Sequence, residues 1–391
     1  MRIAKIFEFA GNGRRQCYGN GCDHRDQDLD ARRLASSAAP SWYVLLRSKD
    51  LGRQPIGLSG RGENLVVWRG RSGRAIAMQR YCPHHGADLA LGCIQDGELR
   101  CRFHGWRFDE SGACVAIPGE MKIPSSAHRR LRHIEERYGL VWIWSGTGSP
   151  LFPMPTIPEL DGTPTNAASH YYVHQYHHDI GSAPFSRMHE NAVDTVHVSE
   201  LHHVSLEAVN CTVLERPCWD VGDPRRPAYA DVGAWFGNIL EFELQQQHGV
   251  PRIANILGVP LGATRVIIDK WPSGSIIRTH SDGRHRHTLV YAESPYGSSQ
   301  RSGTLYGISI TPRYRGWMRD LISHLILTIT NRWFLLQDLG VWRTLGSSYD
   351  GVLVKSDAPI MAYRRWYIGW VKATRHESEL HAQIRSANTP P

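Results

Sequence analysis

Cys82-Pro83-His84 and Cys101-Arg102-Phe103-His104 place two thiols and two imidazoles on short loops separated by sixteen residues. Two thiolates on one iron and two neutral imidazoles on the other make the donor set of a [2Fe–2S] cluster. The histidines raise its reduction potential, so it takes an electron from a ferredoxin-like donor and passes it on. Pro83, Gly86 and Gly105 suit tight ligand-bearing turns whose backbone N–H groups approach the sulfurs. Trp106 is placed to shield the cluster from water. A closed tetrahedral zinc site is the competing reading of Cys₂His₂. Zinc sites usually open with C-x₂-C and close with H-x₃₋₅-H, however, and each pair here mixes one cysteine with one histidine.

A second constellation follows. Eight of the 21 histidines fall within residues 170–203. Steps of four and three place Glu190, Asp194 and His197 on one face of an expected helix. His202 lies five residues beyond His197, so that helix must end or bulge before it. Two histidines and one carboxylate on one face of an iron leave positions open for O₂ and substrate. Glu190 is the local carboxylate for such a set. Asp194, as an acid at a helix N-terminus, has a purely structural reading through the macrodipole. Asp357, in a Ser-Asp-Ala-Pro turn, reads as a local cap.

The elements that must position these groups are legible in outline. Order begins at Pro40–Leu46, and β-like runs at Asn64–Arg69, Ala75–Gln79, Leu99–Arg102 and Gly139–Trp144 predict a small, mostly antiparallel β domain. Pro150, Pro153, Pro155 and Pro158 mark a stiff connector and a domain boundary. Past them, Leu240–Leu244, Arg265–Asp269, Ile276–Thr279, Thr288–Ala292 and Thr304–Ile310 predict an antiparallel meander with short connectors such as Pro272-Ser273-Gly274. Apolar residues from Trp317 to Trp342 predict one long helix. The expected fold is α+β in three parts: a poorly ordered leader over 1–38, a cluster domain over 39–150, and a catalytic domain over 151–391 whose antiparallel sheet packs against helices in a helix-grip-like manner.

Composition bounds the rest. A chain of 391 residues should form two or three domains. No run approaches the roughly 18 consecutive apolar residues of a membrane span; the best, Leu321–Thr330, is broken by Ser323 and His324. No charged-then-apolar secretory signal opens the chain. With two of the eight cysteines committed to iron, a reducing cytoplasm is the expected compartment. The net charge of +8 forms no basic patch with interleaved aromatics, which speaks against nucleic acid, and offers a basic face to an acidic redox partner. No G-x-G-x-x-G follows a strand, so electrons from NAD(P)H must arrive through a separate reductase or ferredoxin.

The segment Tyr81–Phe108 resembles the Rieske domain of the Rieske-type oxygenases and ferredoxins, and Glu190–His202 resembles the E-x₃-D-x₂-H-x₄-H pattern of Rieske oxygenase catalytic domains. The resemblance covers about residues 40–375. It implies that Cys82, His84, Cys101 and His104 hold the cluster and that His197 and His202 hold a mononuclear Fe(II). It places the third iron ligand on a late helix, where Gln337-Asp338-Leu339-Gly340-Val341-Trp342 matches the context. Asp338 there lies inside an apolar stretch, a costly position unless the carboxylate is paired or metal-bound. Position 85, often arginine in the family, is His85 here. For Asp194 the resemblance implies a bridge, in a head-to-tail homotrimer, from His104 of one subunit to His197 or His202 of the next. His177, His178, His189 and His203 fall outside the ligand spacing.

Within the family, Glu190–His202 and Asp357–Tyr367 look most like the group containing 3-ketosteroid 9α-hydroxylase and cholesterol 7-desaturase. That likeness implies hydroxylation or desaturation, with O₂, of a bulky, apolar, polycyclic or lipid-like molecule. A Rieske-dependent oxidative cyclase of natural-product biosynthesis, acting on prodiginine-type alkaloids, is a second expectation. An electron carrier or redox sensor is a third, disfavoured by the second histidine pair with Asp338.

Overall fold

Alternating branched and aromatic residues pair wherever the sequence carries them. The computed structural model describes residues 39–146, 148–161, 170–181, 185–203, 206–244, 263–281, 283–297, 303–314, 316–345 and 352–387. The expected leader 1–38 lies outside the described residues. Ten strands come first: β1 (Trp42–Arg47), β2 (Ile56–Gly60), β3 (Glu63–Arg69), β4 (Ala75–Gln79), β5 (Cys93–Gln95), β6 (Glu98–Arg100), β7 (Arg107–Phe108), β8 (Cys114–Ala116), β9 (Ile134–Arg137) and β10 (Leu140–Trp144). They form three antiparallel sheets in the orders β1-β10-β9, β2-β3-β4 and β5-β6-β7-β8.

Seven further strands follow: β11 (Tyr171–Gly181), β12 (Leu206–Leu214), β13 (Phe236–Leu244), β14 (Ala263–Trp271), β15 (Gly274–Ser281), β16 (Arg284–Ser294) and β17 (Gly303–Pro312). They make one antiparallel sheet in the order β11-β17-β16-β15-β14-β13-β12, so the expected meander runs from β12 to β17. Its helices are α1 (Phe185–Glu190), α2 (Val196–Glu200), α3 (Trp317–Trp342) and α4 (Ala358–Ala387). α3 has the predicted bounds and lies along β17 and β11, burying His324, Thr328, Leu335, Leu339 and Trp342. The α+β class and the sheet-on-helix arrangement stand as expected.

Three features differ from expectation. The helix through Glu190, Asp194 and His197 is broken: α1 ends at Glu190, a 3₁₀ turn covers Asn191–Val193, and Asp194 is extended at φ −90°, ψ 108°. The cause is local, since Asp194 Oδ1 accepts from the N–H groups of Val196 (3.0 Å) and His197 (3.3 Å), capping a new helix. Glu190 and His197 therefore share no helical face. Next, the proline-rich connector, expected only to be stiff, also packs into the core, where Phe152, Met154 and Ile157 are buried. They join Trp42, Trp142, Trp144, Trp271, Tyr367 and Trp370 in one core between the first strands, the large sheet and α4. Last, β11, β12 and α4 appear where no regular element was expected.

A buried ion group ties the connector to the large sheet. Arg278 Nε donates to Glu159 Oε1 at 2.8 Å, and its Nη1 lies 3.4 Å from Asp269 Oδ2. Thr288 and Trp235 complete the two carboxylates at 2.8 Å each. Removing the one cation would leave two buried acids uncompensated. Arg278→Met is expected to lower stability by about 3–5 kcal/mol in denaturant unfolding, a change that a surface arginine would not produce.

Candidate metal centres

The two Cys-His loops are built alike. Cys82 N–H donates to Ala87 O (2.8 Å) and Gly86 N–H to Cys82 O (2.9 Å); Cys101 N–H donates to Trp106 O (2.8 Å) and Gly105 N–H to Cys101 O (3.1 Å). Both turns close through a glycine at positive φ, +69° at Gly86 and +73° at Gly105, where a Cβ would strain the chain. The loops bring Cys82 and Cys101, both buried, into contact, and they set His84 Nδ1 3.1 Å from His104 Nδ1 at the surface. Trp106 stacks on His84 with centroids 4.7 Å apart and planes at 9°.

These residues fit the expected group. Burial pushes the Cys82 thiol up to about 11, so a thiolate there needs a cation to hold it. The donors approach in like pairs, thiol by thiol and imidazole by imidazole, as two sulfide-bridged irons require. Among the described residues, the four do not close around a single point as a zinc ion would need; one other set does.

That set is His197, His202 and Asp338, whose ligand atoms all lie within 4.8 Å of one another. His197 comes from α2, His202 from just past its end, and Asp338 from α3. His202 Nε2 stands 3.4 Å from Asp338 Oδ1. Burial pushes the Asp338 carboxyl up to about 7, against the pull of Asn191, whose Nδ2 donates to Oδ1 at 3.0 Å. A desolvated carboxylate beside two imidazoles is a donor set that fits a cation of His₂Asp preference. His197 Nδ1 is likewise buried without a hydrogen-bond partner among the described residues.

The other sequence candidates separate cleanly. Glu190 is held bidentately by Arg364, at 2.8 Å for each oxygen, and is spent on that pair. Asp194 uses Oδ1 as the cap of α2, while its Oδ2 is 3.9 Å from His197 Nδ1. Among the described residues, no hydrogen bond or ion pair joins Asp194 to His104 within the chain. His189 lies 2.6 Å from buried Glu293, and Asp357 Oδ2 accepts from Val354 N–H at 2.8 Å, a local cap as expected. Residues not foreseen are Gln337, whose Oε1 meets His202 Nδ1 at 2.8 Å, Asn191, and Phe334, which stacks on His202 at 4.5 Å. Each is a neighbour of a candidate in sequence or one helical turn away, and that adjacency was the only signal.

Two outcomes follow. Asp338→Ala is expected to lose one of three irons per chain while leaving the visible spectrum of the cluster intact; Glu190→Gln should keep all three. Iron and acid-labile sulfide assays decide, and loss of iron from the Glu190 variant instead would reverse the ligand choice. The second concerns Lys270, fully buried, which donates to His189 O at 2.5 Å and is lowered by burial to about 7 from 10.5. The unfolded chain binds this proton between those values and the folded chain does not, so the cost of burying Lys270 is full below pH 7 and fades as pH rises towards 10.5. Melting temperatures of Lys270→Met relative to the parent should therefore fall steadily across that window.

Comparison with known proteins agrees with this geometry. Residues 41–127 match the Rieske [2Fe-2S] domain. The aminopyrrolnitrin oxygenase of Pseudomonas fluorescens is 29% identical over 87% of this chain and 93% of its own length. The oxygenase component of a 3-ketosteroid-9-alpha-monooxygenase from Mycobacterium tuberculosis is 25% identical over 87% and 84%. In fold, NdmA of Pseudomonas putida with caffeine superposes with a TM-score of 0.64 at 19% identity, over 90% of this chain and 94% of that one. No helix among the described residues is long and apolar enough to cross a membrane. Over most of its length the chain is similar to the oxygenase components of Rieske-type non-haem iron oxygenases; it is an oxygenase whose cofactors are a [2Fe–2S] cluster and a mononuclear iron, with electrons supplied by a partner protein.

Proposed function

We propose that the chain hydroxylates or desaturates a bulky, apolar, uncharged molecule of sterol or steroid type, with residues 39–150 as the cluster domain and 151–391 as the catalytic domain. The observation that carries this reading is the neutral, apolar setting of the triad. Its hydrogen-bonding neighbours Asn191 and Gln337 are uncharged, and Leu335, Leu339 and Trp342 flank Asp338 in a buried cluster with Tyr176, Ile180, Met188 and Leu289. Such walls reward apolar area. The ketosteroid monooxygenase relative supports the same class.

In this reading Cys82, His84, Cys101 and His104 hold the cluster, and His197, His202 and Asp338 hold Fe(II). When bound, these groups supply single electrons and O₂ activation. The protein's part is to keep both imidazoles neutral, to exclude water with Phe334 and the apolar cluster, and to leave one side of the triad open. A second reading, oxidative cyclisation of an alkyl-pyrrole alkaloid, would use the same iron site; the aminopyrrolnitrin oxygenase relative is named for oxygenation, not for ring closure. O₂ uptake by the reduced protein across sterols, ketosteroids and alkyl-pyrroles separates the two. Oxygenated or desaturated steroid supports the first, and a ring-closed pyrrole the second. Uptake with neither, in a protein holding two irons per chain, returns the chain to an electron carrier.

We further propose a head-to-tail trimer in a cytoplasmic setting, reduced by a ferredoxin or reductase. His84 and His104 are exposed in the single chain, and Asp194 keeps Oδ2 free at 30% side-chain exposure. Asp194→Asn should preserve the helix cap, the three irons and the trimer, because asparagine caps as well as aspartate. Its amide cannot accept from two imidazole N–H groups as Oδ2 can. Cluster oxidation in a single turnover is expected to slow by orders of magnitude; an unchanged rate would leave Asp194 with the cap alone.

A further inference from the structure

We propose that Gln337 is a positioning residue that fixes the tautomer of His202 and so presents a bare Nε2 to the metal; the inference rests on the reading of His202 as an iron ligand. One turn of α3 holds this imidazole on three sides. Phe334 stacks on its face at 4.5 Å and 29°, Gln337 Oε1 meets Nδ1 at 2.8 Å, and Asp338 Oδ1 lies 3.4 Å from Nε2. His202 itself is only 6% exposed, so water does not compete for these sites.

An amide oxygen accepts and never donates, so the proton belongs on Nδ1 and the lone pair on Nε2. With the amide turned end for end, its NH₂ would require a bare Nδ1 and would leave N–H on Nε2, which cannot ligate. His197 is held differently: its Nδ1 has no hydrogen bond among the described residues and stands 3.9 Å from Asp194 Oδ2. His202 and Asp338 therefore form the preorganised half of the triad. The choice of an amide also matters. A carboxylate at 337 would orient the ring equally well but add a second negative charge beside the metal and make the ligand more basic.

Co(II) is the probe, titrated anaerobically into trimeric or monomeric protein that keeps its Rieske cluster but lacks the mononuclear metal. Each ligated histidine then gives an exchangeable, hyperfine-shifted N–H proton resonance, which needs no turnover. The parent should show a slowly exchanging signal from His202. Gln337→Leu should bind Co(II) roughly 10–100-fold more weakly and lose that slow signal. Gln337→Glu, which keeps the acceptor, should restore both. If Gln337→Leu loses the visible spectrum of the cluster, Gln337→Met, of similar length and without the amide, takes its place. Parent-like affinity and an intact slow signal in the Leu or Met variant overturn the inference, as does a Glu variant no tighter than Leu. His202→Ala tests the underlying reading separately: Co(II) bound there as in the parent would show that His202 is no ligand at all.

Discussion

Asp338 sets the terms for the rest of the catalytic half. Its carboxylate projects from the middle of α3, where Leu335 and Leu339 are almost wholly buried, and only 13% of its side chain meets solvent. Burying a charge there costs several kcal/mol unless something repays it, and one amide hydrogen bond from Asn191 does not. In the proposed reading a metal would, with the imidazoles of His197 and His202 completing the set, and metal binding would then be coupled to local stability.

That dependence explains the effort spent on the short segment before His197. It has little regular structure of its own, being a one-and-a-half-turn helix, a 3₁₀ turn and another short helix. Instead, separate elements grip it: Lys270 of β14 at His189 O, Arg364 of α4 at Glu190, Asn238 of β13 at Ala192 O, and Asp338 of α3 at Asn191. Short helices are marginal alone, so the ligand geometry is inherited from the sheet and from the two long helices. The grips of Lys270, Arg364 and Asn238 act on the two histidines without being ligands in the proposed reading, whereas Asp338 is both grip and ligand.

How much of this could be read in the sequence depended on whether the signal was local. The Cys-His loops are legible because cysteines, histidines, turn glycines and the tryptophan are contiguous; α3 is legible in its length, but not in its buried side, for Leu325 and Ile329 are 50% and 67% exposed while His324 and Thr328 are buried. β11 is not legible because Tyr171–Gly181 mixes tyrosine, histidine and other polar residues without a clean apolar alternation. α4 carries an apolar face at Ile360, Tyr363, Tyr367 and Trp370, a helical period that is present in the sequence although no element is expected there. The expected Glu190–His197 helix failed for a physical reason: a side-chain cap at Asp194 outcompetes helix continuation, and spacing alone does not report that contest. The grips of Lys270 and Arg364 are long-range pairings that no local pattern contains.

The two metal regions are unlike in one further respect. The triad is largely enclosed, with His202 buried and His197 and Asp338 half-buried, whereas His84, His104 and Phe103 stand in solvent, Phe103 at 64%. Their relative placement within the chain is fixed, because Trp42 joins both parts. Its backbone oxygen accepts from Ser273 at 2.5 Å, its indole donates to Phe152 O at 2.9 Å, and its ring belongs to the core that contains Trp271 and Trp370. A rigid join of this kind removes domain swinging as a way to bring the exposed imidazoles to the iron. In the proposed trimer the exposed imidazoles would meet a neighbouring subunit, and Asp194, with one oxygen committed to its cap and the other beside His197, would be the acceptor for that contact.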